Sequence, residues 1–185
     1  MLDQMTRIEP KLVELFEKDA REFDEVLRLR IERDEAANAD EKTRFTRRAN
    51  DLLETAADNA FAVIDACMPL IHHGVTVFQV GWGSVRGDSG AAISSAIAAV
   101  KSAIFITKLN LKSLGNRRYA RENISRCAEL YASLQQRQAS AFECVTSLNA
   151  EALHVVQLEL FHQGGERAGG VTEPGTPAGD DAVRL

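Results

Sequence analysis

GWGSVRGDSGAAISSAIAAVKSAIFITKLNLKSLGN, Gly81 to Asn116, is the stretch that decides the fold. A glycine-rich loop opens it, and a long run of Ala, Ile and Ser follows. After Asp88 only Lys101 and Lys108 carry charge before Leu111. A run this apolar on every side predicts a central helix, from about Asp88 to Leu111, packed all round by others. Asp88 or Ser89 would cap it, and Gly115-Asn116 would close it.

Working outward, Leu12, Phe16, Phe23, Leu27 and Ile31 recur at helical spacing, with Val13, Ala20 and Val26 in support. They predict an amphipathic helix over 9–36, with Pro10 in its first turn. Asn38-Ala39-Asp40 marks a break, and Asp40 is the expected cap of a second helix over 41–72. Phe45, Leu52, Leu53, Ala56, Ala60, Phe61, Ile64 and Cys67 form that helix's apolar side. Pro69 is expected to kink or end it, with Gly74 as a further break. Val75 to Val80 alternates weakly; without a partner strand it reads as a short helical turn. A last helix covers 117–148 and extends toward Phe161. The sum is an all-α antiparallel bundle of four or five long helices over 1–163. Residues 164–185 hold glycine and proline with almost no bulky apolar side chain, which predicts a disordered tail.

Composition agrees with that class. The 185 residues are 45% hydrophobic and 26% charged, ordinary values for a chain with one buried core. A net charge of -5 argues against a general nucleic-acid binder. Cys67, Cys127 and Cys144 lack CxxC spacing, and the charged N-terminus does not read as a leader; both point to reduced thiols in a cytoplasmic protein. Lysine and serine interrupt the Ile-rich helix, so no membrane span is expected.

Chemistry is sought first in the loop. Gly81, Gly83, Gly87 and Gly90 let backbone approach a ligand, the next helix offers unpaired N–H groups, and Arg86 adds a cation. A carboxylate or phosphate would suit it, although the spacing fits neither a Walker loop nor a dinucleotide fingerprint. The plain alternative is a connection that needs glycine to turn. Ser94, Lys101 and Lys108 fall seven apart on one face, and Asp58 and Asp65 have the same spacing on the second helix. Either the lysines meet these carboxylates in a buried proton-transfer pair, or they reach out to solvent. His72, His73, His154 and His162 lack ligand spacing, so no metal site is expected.

Taken together, these residues resemble the cyclodeaminase/cyclohydrolase family: the C-terminal domain of formiminotransferase-cyclodeaminase and the stand-alone methenyltetrahydrofolate cyclohydrolase. Gly81, Asp88, Gly90, Ala92, Ser102, Ala103, Asn110 and Leu114 match its pattern without a gap, and Asp19, Phe23 and Val26 match an upstream run. The resemblance covers about 11–134. The chain departs from the pattern at Trp82 (a loop asparagine), Gly87 (a serine), Ile106 (an asparagine), Ala60 (a proline) and Gly115-Asn116 (an acidic pair). It also shows no counterpart of an N-terminal helix and its glycine-rich loop, for which a protein partner is one conceivable source. The resemblance implies an all-α homodimer that takes a tetrahydrofolate derivative as substrate and makes or breaks a C–N bond in its one-carbon bridge. The expected catalytic residues are Asp88, Lys101 and Asn110. Substrate binding is expected from Gly83, Arg86, Gly87, Ser94 and Asp65. The alternative is a related scaffold turned to another small molecule or to a non-catalytic role.

Overall fold

The computed structural model describes residues 2–168. Among them are four α-helices and no strand: α1 (Leu2–Glu35), α2 (Ala39–Val80), α3 (Arg86–Leu114) and α4 (Arg118–Ala168), with a single 3-10 turn at Gly83–Val85. The protein is all-α. The chain divides into two compact units, Met1–Thr146 and Ser147–Leu185. The first holds α1 to α3 and the opening part of α4. In the second, 147–168 are helical, and 169–185 of the expected tail lie outside the described residues.

Helix α2 is the hub. It packs against α1 on one side and α3 on the other, and Phe61, Ile64, Cys67, Ile71 and Phe78 are buried along it. A ladder of polar contacts ties it to α4. Arg117, just ahead of α4, meets Asp51 at 2.7 Å and Glu54 at 2.9 Å. Tyr119 donates to Asp58 at 2.6 Å, and Arg126 reaches Asp65 at 3.2 Å. The partners advance in step along both helices, so α2 and α4 run parallel, as alternate members of an up-down bundle must. Arg126 also lies 4.1 Å above the Phe61 ring, a cation–π contact.

The expectation of a fully wrapped central helix fails for α3. Ile93, Val100, Ala103, Ile104 and Leu111 are buried, but Phe105 is 62% exposed and Ile106 and Leu109 are also open. Small Ala and Ser residues, not burial on all sides, account for its lack of charge. Helix α1 shows the same pattern. Val26 and Leu29 form its core side, while Phe16, Phe23, Leu27 and Ile31, expected inside, are exposed.

Boundaries moved for local reasons. The helix begins ahead of Pro10, which sits inside α1. The cap of α2 is Asn38, not Asp40: its extended backbone lets the side-chain oxygen accept from Glu41 N–H at 2.8 Å. Pro69 and Gly74 lie inside α2, which continues to Val80. Proline inside a helix costs about 3 kcal/mol. Burial of Ile64, Cys67, Met68, Ile71 and Phe78 around it outweighs that, at about 1.5–3 kcal/mol for each large side chain. Helix α3 starts at Arg86 without a side-chain cap; Ser89 instead donates to the Val85 carbonyl at 2.8 Å. Gly115, at φ 59°, closes α3 in the left-handed region that glycine tolerates.

Gly74 has another task. A Cβ placed there would lie 2.5 Å from Ile93 Cγ1, so glycine sets how closely α2 and α3 approach. Two helices, Ala39–Val80 and Gly83–Leu114, are long and apolar enough to cross a membrane by length and composition, with mean hydropathy 1.5 and 1.6. The serine and lysine interruptions are therefore weaker than the sequence suggested. Less than half of each apolar stretch, 44% and 39%, is buried within the chain.

Alanine at position 74 gains about 1 kcal/mol of helix propensity but should lose more by crowding, giving a net destabilisation of roughly 1–2 kcal/mol. Urea unfolding of Gly74→Ala, Ile93→Ala and the double variant checks this. The double variant should be more stable than the sum of the single losses allows; strict additivity would mean that the two side chains do not collide.

Candidate functional site

Three helices converge on a hollow of about 300 Å³. Leu12, Leu15, Phe16 and Asp19 come from α1, Asn59, Ala60 and Val63 from α2, and Ala99, Ser102, Ala103 and Ile106 from α3. Within each helix the spacing is three or four residues, so one face of each is presented. The lining is apolar except for Asp19, Asn59 and Ser102. A mainly apolar concavity with a few placed polar groups is the usual form of a small-molecule site.

Asn59 is buried, with 4% of its surface exposed. Its Nδ2 donates to Glu22 Oε2 at 2.6 Å, which fixes the amide and leaves its oxygen as an acceptor. Glu22 is in turn 3.8 Å from Lys18. Asp19 lies one turn ahead of Glu22 on the same helix. It is exposed as a whole residue, yet its carboxyl has no ion pair among the described residues. Desolvation beside the apolar lining holds its pKa above the usual carboxylate value. A carboxylate of this kind keeps its proton to higher pH than an ordinary surface one.

The residues expected from sequence fall elsewhere. Gly83, Arg86, Gly87 and Asp88 gather where the 3-10 turn meets α3, and the Arg86 guanidinium rests 5.6 Å above the Phe78 ring. Asp88 and Gly87 are exposed. Ser94 is exposed and donates to the Gly90 carbonyl of its own helix at 3.0 Å. Lys101 is exposed beside Ser102, and Asn110 is half-buried farther along. At 1.5 Å per residue, Asp88 and Lys101 stand about 20 Å apart along α3, and Asp88 and Asn110 about 33 Å. One chain therefore does not bring Asp88, Lys101 and Asn110 together. The anticipated lysine–aspartate pairs do not form. Asp58 and Asp65 face α4, and Lys108 lies 4.7 Å above the Tyr131 ring.

The His72 and His73 rings are tilted by 47° with centroids 6.1 Å apart, and no group of three His, Cys, Asp or Glu side chains gathers among the described residues. All three cysteines are buried, and burial raises each thiol's pKa, so none is a prepared nucleophile. The Tyr119 hydroxyl is pushed well up by burial and by Asp58.

A formiminotransferase-cyclodeaminase family model matches residues 1–129, more than half of the chain. The chain belongs to that family. A curated relative, the methenyltetrahydrofolate cyclohydrolase of Methylorubrum extorquens, is 29% identical over 108 residues. That alignment covers 58% of this chain and 52% of the relative, so the chain spans about half the length of the curated relative it matches. Asp19, Ala60, Ser102, Ala103 and Ile106, all singled out in the sequence, line the hollow. Sequence reading noted these positions without joining them, because their separation along the chain hides that they share one wall. Asn59 was missed altogether; a lone asparagine among Ala and Phe on an apolar helix was the available signal.

Because the folded pKa of Asp19 is raised, its ionised form is disfavoured in the fold. Stability from this group is therefore greatest below the unfolded carboxylate pKa and falls as pH rises through the folded value. Asp19→Asn should thus be more stable than wild type at pH 7, with the difference vanishing at low pH. Thermal unfolding at both pH values tests it, and a variant less stable at pH 7 would contradict the assignment.

Proposed function

We propose that the chain is a cyclohydrolase- or cyclodeaminase-type enzyme. It would act in the cytoplasm on the C–N bond of a one-carbon tetrahydrofolate, or of a related imine. The observation that carries this reading is the desolvated Asp19 carboxyl on a hollow shared by α1, α2 and α3, in a chain of this family. Opening a methenyl bridge requires water to attack an electron-poor carbon held between two nitrogens. A base must take the proton of that water, and a proton must reach the departing nitrogen. Asp19 fits the first task. Ser102 and the Asn59 oxygen fit the positioning of water or of a ring N–H.

The hollow is too small to enclose a whole folate, and its mouth carries exposed Phe16 and Ile106. In this reading a second copy covers that mouth, giving a homodimer. Lys101, next to Ser102 in the chain, then assists proton transfer, Asp65 stays structural, and Asn110 orients substrate. Arg86, Asp88 and the glycines around them serve the site from the facing copy, with Ser94 lining the approach. A dimer with sites shared across its interface makes the distance between Asp88 and Lys101 harmless.

Loss of the methenyltetrahydrofolate absorbance measures the hydrolysis directly. Asp19→Asn and Asp88→Asn should each lower kcat by about 10²-fold or more, the scale expected for a general base or its partner. Mixing the two variants should restore about a quarter of wild-type activity, since half the dimers would hold one intact site. No turnover by wild-type protein, with no tetrahydrofolate binding by calorimetry, removes the folate reading. Turnover without restoration on mixing removes only the shared site.

A further inference from the structure

A second hollow, of about 500 Å³, lies on another side of α3, against α4. It shares no lining residue with the hollow that contains Asp19. Its floor is Leu111 and Cys127, both buried, and Ile124, Ala128 and Tyr131 extend the apolar wall. Lys108 and Lys112 stand over it. Four residues apart on one helix, their Cβ atoms are about 6 Å from each other, close enough to share one anion. Tyr131 steadies Lys108, whose Nζ lies 4.7 Å from the ring centroid. No carboxylate lines the hollow. That matters in a chain of net charge -5, where acidic neighbours are the common condition. Gly115 and Asn116 form part of the lining and add no charge to it.

We infer that this groove is a binding site for a small amphipathic carboxylate, its apolar body on Leu111, Ile124 and Cys127 and its carboxylate between Lys108 and Lys112. Apolar floor and paired cations each select one half of such a molecule, and neither half alone uses the site. The inference does not rest on the folate reading, since the groove is read from its own lining.

The probe is 2-naphthoate, with neutral 2-naphthamide as control, followed by calorimetry and by ligand-observed NMR at low salt. Wild-type protein should bind the naphthoate at least tenfold more tightly than the amide. Lys108→Gln combined with Lys112→Gln should weaken naphthoate at least tenfold. Ala128→Trp should fill the groove and remove binding with the circular dichroism spectrum and Tm retained. Asp19→Asn should leave binding unchanged. Equal binding of acid and amide, equal binding by the lysine variant, or loss of binding in Asp19→Asn would each overturn the proposal. So would a wild-type protein that ignores naphthoate but self-associates through a surface broken by Ile124→Arg, because a second copy would then occupy the groove.

Discussion

The approach of α2 to α3, set where Gly74 meets Ile93, is the constraint from which the rest of this molecule follows. Any larger residue at position 74 would drive a Cβ to 2.5 Å from Ile93, and an interior packed like a crystal has no slack to absorb it. With the two helices held at this spacing, Ala60 and Val63 of α2 stand opposite Ala99 and Ala103 of α3, and α1 closes the third side of the small hollow. Helix α2 is therefore both spine and wall. Its other flank carries the carboxylates that meet Arg117, Tyr119 and Arg126.

Among the described residues, exposed apolar side chains run along α1 and along α3. Phe16, at 76%, leads those on α1, and Phe105 leads those on α3. Isolated exposed apolar residues need no explanation, but runs at helical spacing do. They explain why α3 looked like a fully wrapped helix in the sequence. Residue composition records how apolar a surface is, and cannot say whether another part of the same chain covers it.

Much of the architecture was legible nonetheless. Helical periodicity marked all four helices, and Gly115-Asn116 marked the end of α3. Errors arose where a local rule met a stronger tertiary one. Pro69 breaks an isolated helix, yet the buried residues around it carry α2 through to Val80. Asp40 is as good a capping residue as Asn38 by type, and the backbone geometry at Asn38 decided between them. The shared face of Ser94, Lys101 and Lys108 was read correctly as geometry, but Asp58 and Asp65 turned to α4 because Tyr119 and Arg126 offer them partners there. The hollow was hardest to foresee. Asp19, Asn59 and Ser102 are each unremarkable alone, and only the crossing of three helices makes them neighbours.

Most of the ladder between α2 and α4 repeats at one pitch. Asp51, Asp58 and Asp65 recur every seven residues, and Tyr119 and Arg126 repeat the same interval. Sliding α4 by one such interval one way would set Tyr119 against Asp65 but Arg126 against His72. Sliding it the other way would keep Tyr119 and Arg126 on aspartates, at Asp51 and Asp58, and would take Arg117 off Asp51 and Glu54. Arg117 is therefore the tooth that breaks the repeat. Shape adds to it, through Cys127 seated against the Ile104 carbonyl at 4.0 Å and Leu134 buried beyond it.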